Sequence, residues 1–313
     1  MTQVLHDIEA VRAACDDVRR RSGTVGFVPT MGALHVGHLS LASAARAEHD
    51  LVVVSIFVNP LQFGPSEDLA AYPRDLDGDV AQAQTAGVDI VFAPSAQAVY
   101  PDGPPRTTVH VDGLTDGLCG AVRPTHFDGV TTVCAKLFAI MGPCRAYFGR
   151  KDYQQWRVVA RMAADLNLPV EVVGCPLVRE RDGLALSSRN RYLTPDEREA
   201  ATVLSRALRA VVAAVDVGTT EVSALTALVA RACAEEPLVD LEYCEVRTAT
   251  DLVPVDEIAG EVVVAVAARV GADGGSNTRL IDNCVITLGP DGATADLGTI
   301  GHPSGERPDS AST

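Results

Sequence analysis

Two histidines three residues apart, His35 and His38, stand in "PTMGALHVGH" (29–38), with glycines at 32 and 37. Imidazole N–H groups can donate to phosphate oxygens whose negative charge grows during displacement. Glycines let the backbone approach such a group closely. A metal pair fits less well, because helical metal-binding histidines usually stand four apart and no third ligand is evident. A second segment, "FGRKDYQQ" (148–155), carries Lys151. Of the 26 basic residues only Lys136 and Lys151 are lysine, so a chain that otherwise uses Arg places a compact ammonium there. Lys136 lies in the apolar run "VCAKLFAI" and reads as a snorkelling side chain. A third segment, "LALSSRNRYL" (184–193), offers Ser187, Ser188 and Arg189, two hydroxyls and a guanidinium suited to a mobile phosphate clamp. In "FVNPLQF" (57–63), Asn59 and Gln62 are neutral groups able to read hydroxyls or a carboxylate. Taken singly, each segment also reads as an ordinary loop or helix cap.

The elements that must position these groups follow from periodicity. "TVGFVP" (24–29) reads as a buried strand, and a helix follows from His38 to Asp50. "LVVVSIFV" (51–58) is a continuous apolar run, as expected of a strand covered on both faces. Helical patterns near 77–87, 127–142 and 152–167 alternate with strand patterns at 88–94, 145–149 and 170–174. That alternation predicts a parallel sheet with helices on both faces. The histidine pair and Lys151 then fall at strand carboxyl ends, where open α/β sheets bind ligands. A helix starting near His38 would add free N–H groups and a positive dipole end. The pattern changes near residue 178. "TPDE" (194–197) is a capping box, two helical stretches follow, and then three strands at 241–246, 261–270 and 278–286. The expected class is α/β: a Rossmann-like parallel-sheet domain over 1–177 and a smaller α+β domain over 178–288. From Gly289 on, Gly, Pro, Asp, Ser and Thr dominate, and 289–313 reads as a disordered tail.

The 313 residues carry a formal charge of −15, which argues against sequence-independent binding of nucleic acid. It leaves room for a small anionic ligand, since a few local cations can dominate one cleft. No apolar run approaches the length of a membrane span, and the N-terminus does not read as a signal peptide. The eight cysteines contain no C-x-x-C pair and read as reduced, mostly buried thiols of a cytoplasmic protein. Neither G-x-G-x-x-G nor G-x-x-x-x-G-K-[ST] opens a helix, so any phosphate must be held by other groups.

Together with "YPRD" and "RPTHFDGV", these motifs resemble those of the pantoate–β-alanine ligases, in order and spacing, from about Val25 to Ile286. H-x-G-H alone marks only a wider nucleotidyltransferase superfamily. The resemblance implies that ATP and pantoate form pantoyl adenylate and pyrophosphate, and that β-alanine then attacks to give pantothenate and AMP. It implies a Mg²⁺-dependent cytoplasmic homodimer with a C-terminal lid. By motif, Met31, Gly32, Ala33, Leu34, His35, Gly37 and His38 would line the ATP site, with His35, His38 and Lys151 catalytic. Gly149, Lys151, Asp152, Val178, Leu186, Ser187, Ser188 and Arg189 would complete it. Gln62 and Gln155, with Asn59, would hold pantoate and β-alanine; Asp79 and Gln82 match metal-binding positions. Tyr72, Arg123 and His126 fall in family motifs without an assigned contact. The chain departs from the common pattern at Val36, Gly78, Arg150 and Leu186. A nucleotidylyltransferase acting on another acceptor is the rival activity, and a non-catalytic nucleotide-binding module the rival class.

Overall fold

The computed structural model describes residues 1–64, 69–271, 276–290 and 292–301. Six strands form one parallel sheet: β1 (Gln3–Leu5), β2 (Val25–Thr30), β3 (Leu51–Ile56), β4 (Ile90–Phe92), β5 (Cys144–Gly149) and β6 (Val170–Cys175). Their order is β1-β4-β3-β2-β5-β6. The chain builds outward from β2 through β3 to β4, then returns to lay β5 on the other side of β2. The topological switch therefore lies between β2 and β5, where a crevice opens at the strand carboxyl ends.

Period-two alternation divides the strand residues between two cores. Phe27, Val53, Phe92 and Phe148 pack under the helices Ile8–Arg20, His126–Met141 and Tyr153–Asp165. Val28, Val54, Val91 and Tyr147 pack under the helices Val36–Glu48 and Leu76–Thr85. The Ile8–Arg20 helix and β1 were not assigned from sequence. The helix had a signal: Asp7 caps it by accepting from Ala10 N at 2.9 Å, and Val11 and Cys15 point inward. β1 is three residues long, too short to show alternation.

A separate small antiparallel sheet follows: β8 (Val239–Thr248), β9 (Gly260–Val270), β10 (Thr278–Gly289) and β11 (Gly292–Asp296), in the order β11-β10-β9-β8. Val262, Val264, Val266 and Ala268 on one face pack against the helices Val203–Asp216 and Val222–Ala234. Val263 and Ala265 on the other face join the core of the parallel-sheet part. The capping box forms: Thr194 Oγ1 accepts from Glu197 N, and Glu197 Oε2 accepts from Thr194 N at 2.8 Å. The first helical stretch breaks at Thr202 into Pro195–Ala201 and Val203–Asp216.

The expectation of a structureless tail from Gly289 does not hold for its described part. β11 extends the antiparallel sheet, and β12 (Thr299–Ile300) pairs in parallel with β7 (Val178–Arg179). Backbone pairing needs no apolar side chain, so a polar composition did not reveal it. Residues 302–313 lie outside the described residues. All eight cysteines are free thiols, five of them buried. Among the described residues no helix is long and apolar enough to cross a membrane.

Candidate functional site

The loop after β2 folds around a buried carboxylate. Asp79, 3 % exposed in the helix Leu76–Thr85, accepts from Ala33 N at 2.9 Å and Leu34 N at 2.7 Å. Burial raises its pKa, while these two hydrogen bonds pull it back. Gly32 takes a φ of +83°, and a Cβ there would stand 2.9 Å from Asp79 Oδ2. Each Asp79 oxygen thus accepts one backbone amide, and Gln82, the other residue that matches a metal-binding position, is neutral. Among the described residues no three His, Cys, Asp or Glu side chains cluster as a metal site.

The loop delivers the chain into the helix Val36–Glu48 with His35 as its N-cap residue. The His35 carbonyl accepts from His38 N at 2.8 Å and Leu39 N at 3.0 Å, starting the helix. The two imidazoles stack, with centroids 4.0 Å apart and planes 25° apart. A Cβ at Gly37 would lie 3.0 Å from the His35 ring, so the glycine lets that ring fold over the backbone. Desolvation is the main cause that pushes His35 down to about 2, with His38, Lys151 and Arg191 adding to it. His38 goes down to about 4 through desolvation and then Lys151, opposed by Asp152. Both rings are neutral at neutral pH. Their Nδ1 atoms are buried and meet no hydrogen-bond partner among the described residues. Such a pair is prepared to serve a ligand, since buried polar atoms otherwise find partners.

Lys151 lies across the switch point, in the turn Arg150–Asp152 that follows β5. Its Nζ is 3.6 Å from Asp152 Oδ2, and its side chain is 20 % exposed. The turn is held from the antiparallel sheet: Asn283 Nδ2 donates to Arg150 O at 2.9 Å and Lys151 O at 2.8 Å. Beside Asn283, Asp282 receives both guanidinium nitrogens of Arg179, at 2.7 and 2.9 Å, in a pair only 1 % and 2 % exposed. Sequence reasoning missed Asn283, Asp282 and Arg179, which sit in strands of ordinary appearance. Arg150 itself turns to Asp296, at 2.7 Å.

On the next side, Leu186 N donates to Val178 O at 3.0 Å, tying the Leu186–Arg189 stretch to β7. Ser187 Oγ accepts from Arg189 N at 3.2 Å, and Tyr72 OH approaches Ser188 Oγ at 3.5 Å. Gln62 Nε2 points to Met31 Sδ at 3.1 Å. The Gln62 carbonyl is engaged by His126 Nδ1 at 2.8 Å and by Arg123 Nη2 at 3.4 Å. Asn59 lines the cleft and is tied into the protein around it. It is 1 % exposed, its Oδ1 accepts from Tyr100 OH at 2.9 Å, and its Nδ2 donates to Gly129 O and Gln62 Oε1. With its hydrogen-bonding groups so committed, Asn59 orients Gln62.

These parts enclose a cavity of about 200 Å³ lined by Met31, His35, Gly37, His38, Asn59, Gln62, Gly149, Lys151, Asp152, Gln155, Val178 and Leu186–Arg189. Gly32, Ala33 and Leu34 shape the loop behind it. A second cavity of about 380 Å³ shares Lys151, Asp152, Gln155, Ser187 and Arg189. It continues between the helix ends and the antiparallel sheet, past Arg123, His126, Glu242, Tyr243 and Arg279. An open parallel sheet, a cleft at its switch point, two neutral imidazoles at a helix N-terminus and an ammonium opposite define an α/β protein built to hold a phosphate-bearing ligand.

The comparisons with known proteins make the class specific. Residues 3–285 match the family model described as Pantoate-beta-alanine ligase, and the chain belongs to that family. It is 51 % identical to the pantothenate synthetase of Moorella thermoacetica over 286 residues, covering 91 % of this chain and 99 % of that one. Against the Roseiflexus pantothenate synthetase it is 53 % identical over 264 residues, 84 % of this chain and 93 % of the relative. The crystal structure of pantothenate synthetase from Thermus thermophilus is similar at a TM-score of 0.83 and 48 % identity, over 90 % of this chain and 98 % of that one. The pantoate–β-alanine ligase of Francisella tularensis, complexed with β-γ ATP and β-alanine, is similar at a TM-score of 0.72 and 31 % identity, over 90 % and 97 %.

Proposed function

We propose that this chain condenses pantoate with β-alanine, using ATP, through an enzyme-bound pantoyl adenylate. A pantoate carboxylate oxygen attacks the α-phosphorus of ATP, the bond to the β-phosphate oxygen breaks, and pyrophosphate leaves. The β-alanine amine then attacks the acyl carbon, AMP departs with the bonding electron pair, and the amine proton is lost to solvent. Adenylation is needed because a carboxylate is a poor acyl donor. The chain contributes positioning and charge stabilisation. His35 and His38 donate from neutral rings, Lys151 neutralises phosphate oxygens, Ser187–Arg189 closes over them, and Gln62 and Gln155 orient pantoate.

The observation that carries this reading is the shared wall of one cavity: His35, His38 and Lys151 face the same space as Gln62 and Gln155. That puts groups suited to phosphate beside neutral groups suited to a hydroxy acid. Family membership and the ligand-bound Francisella relative support the same substrates. Mg²⁺ accompanies ATP in the proposed reaction; Asp79 and Gln82, which match metal-binding positions, are the residues that would hold it, and no step is assigned to it. The unit from residue 178 onward is the proposed lid, and a cytoplasmic homodimer is the proposed working form.

The test is release of pyrophosphate and AMP by purified protein with ATP, Mg²⁺ and pantoate, with and without β-alanine. A stoichiometric pyrophosphate burst without β-alanine, and steady AMP only with it, is the expected result. Indifference to pantoate, with AMP transferred to another acceptor, would replace the ligase with a nucleotidylyltransferase.

A further inference from the structure

The match to the family model ends at residue 285, and β11 and β12 lie beyond it. This added segment runs directly onto the elements that frame the nucleotide cleft. Thr299 N donates to Leu177 O at 2.7 Å and Gly301 N to Arg179 O at 2.8 Å, so β12 lies along one edge of β7. The β7 residue Val178 is held on its other side by Leu186 N, at the start of the Leu186–Arg189 stretch. The backbone at Gly301 packs so closely that a Cβ there would stand 2.9 Å from Val178 Cγ1 and 3.2 Å from Val36 Cγ1. Val36 lies between His35 and His38 in chain order.

The segment reaches the second loop through Asp296. Its Oδ1 accepts from Gly298 N at 2.8 Å, closing the turn between β11 and β12. Its Oδ2 pairs with Arg150 at 2.7 Å. Gly298 has a φ of +81°, and a Cβ there would collide with Leu177 O, so the turn requires glycine. Leu297 O accepts from Arg179, whose partner Asp282 precedes Asn283, the residue that holds the Arg150 and Lys151 carbonyls. The segment therefore touches the loop after β5, the strand β7 to which Leu186 is tied, and the first turn of the histidine-bearing helix. Arg150 itself lines neither cavity, whereas Lys151 lines both.

We propose that Gly292–Gly301 is a strap that positions the nucleotide loops, with Arg150 and Asp296 as positioning residues that set the affinity for ATP. A partly exposed ion pair adds little stability by itself. Its effect is directional: Asp296 draws the Arg150 guanidinium onto the strap and fixes the turn that presents Lys151. The inference rests on the ATP reading above.

Calorimetric titration of the full chain with ATP and Mg²⁺, and separately with pantoate, tests it without turnover. Asp296→Arg weakens ATP binding about tenfold and Asp296→Asn about threefold, with pantoate binding changed less than twofold. The charge swap, Arg150→Glu with Asp296→Arg, restores ATP affinity to within about threefold of the wild type. Gly298→Val, which disrupts the turn without changing charge, weakens ATP binding in the same direction. Wild-type affinity in Asp296→Arg, no recovery in the swap, or a parallel loss of pantoate binding overturns the strap alone. Should Asp296→Arg fail to fold, Asp296→Asn and Gly298→Val at wild-type ATP affinity overturn it equally. Failure of the wild-type chain to bind ATP overturns the ATP reading and the strap with it.

Discussion

The loop after β2 and the loop after β5 face each other across one cleft but are held in opposite ways. The first is fastened by a helix packed on its own sheet: Asp79, 45 and 46 residues along the chain, takes the amides of Leu34 and Ala33. The second is fastened from outside by Asn283, 132 residues from Lys151, and by Asp296. Their electrostatics differ too. The first loop offers rings kept neutral by desolvation and by Lys151, and the second offers that ammonium. A neutral donor pair beside one cation avoids the repulsion that three positive charges would suffer before a ligand arrives. The first loop reads as a fixed template, and the second as a part whose position depends on the antiparallel sheet.

The largest effect should come from the template itself. His38→Ala removes a donor aimed at the cleft and should lower turnover by at least ~10²-fold, the scale of losing one transition-state donor. The measurement is pantoate-dependent AMP production by a variant whose unfolding midpoint matches the wild type. Turnover within a few-fold of normal would end the histidine's assignment as a charge stabiliser.

Asp79→Asn sharpens the same side of the comparison. An amide can offer only one acceptor oxygen, so one of the Ala33 and Leu34 amides loses its partner. Leaving a buried donor unsatisfied costs about 1–3 kcal/mol. The expected result is a lower unfolding midpoint together with weaker ATP binding. Raising Mg²⁺ should not restore the midpoint. Rescue of ATP binding by Mg²⁺ alone, with stability intact, would show that Asp79 serves the metal and not the loop.

The neutral rings also predict a pH dependence. Folding lowers both histidines from 6.5, His35 to about 2 and His38 to about 4, with desolvation as the first cause. Between pH 6.5 and about 4 the unfolded chain binds protons that the folded chain does not. Stability is therefore full above about 6.5 and falls as pH drops through that window, the His35 part falling on toward about 2. At pH 5 the loss is on the order of 2 kcal/mol per ring. Urea unfolding at pH 7 and pH 5 should show a smaller loss in the double variant His35→Gln, His38→Gln. An equal loss in wild type and variant would mean that the rings are not held neutral.

The difference between the loops also explains what the sequence disclosed. Strands β2 to β6 were legible because apolar runs alternate with helical patterns, and the switch-point loops carry rare residue types in tight spacing. His35, His38, Lys151, Gln62, Gln155 and Ser187–Arg189 do line one cavity. What stayed hidden was the role of side chains that face inward from regular elements. Asn59 lines the cavity as its type and place suggest, but its hydrogen bonds to Gln62 and Tyr100 have no local mark. Asp79 matches a metal-binding position, and its hold on two amides far back in the chain has no local mark. Asn283 and Asp296 carry no local mark, because their meaning depends on where β10 and β11 are laid. Polar composition concealed the tail, since strand pairing draws on backbone groups that every residue has.

Asn283→Ala tests the outer fastening and carries the smallest expected effect. The substitution removes the donor to the Arg150 and Lys151 carbonyls but leaves the Arg179–Asp282 pair in place. Neither carbonyl belongs to the chemistry, so the loss reaches the reaction only through the position of the Lys151 ammonium. A displacement of that kind should lower kcat/KM for ATP by roughly tenfold, equivalent to about 1.4 kcal/mol. The pantoate KM should stay within twofold, because Gln62 is held from the other side of the cleft. Equal losses for both substrates would show that the antiparallel sheet supports the whole cleft and would erase the distinction between the two loops. A selective loss for ATP would show that the second loop takes its catalytic geometry from a part of the chain more than a hundred residues away.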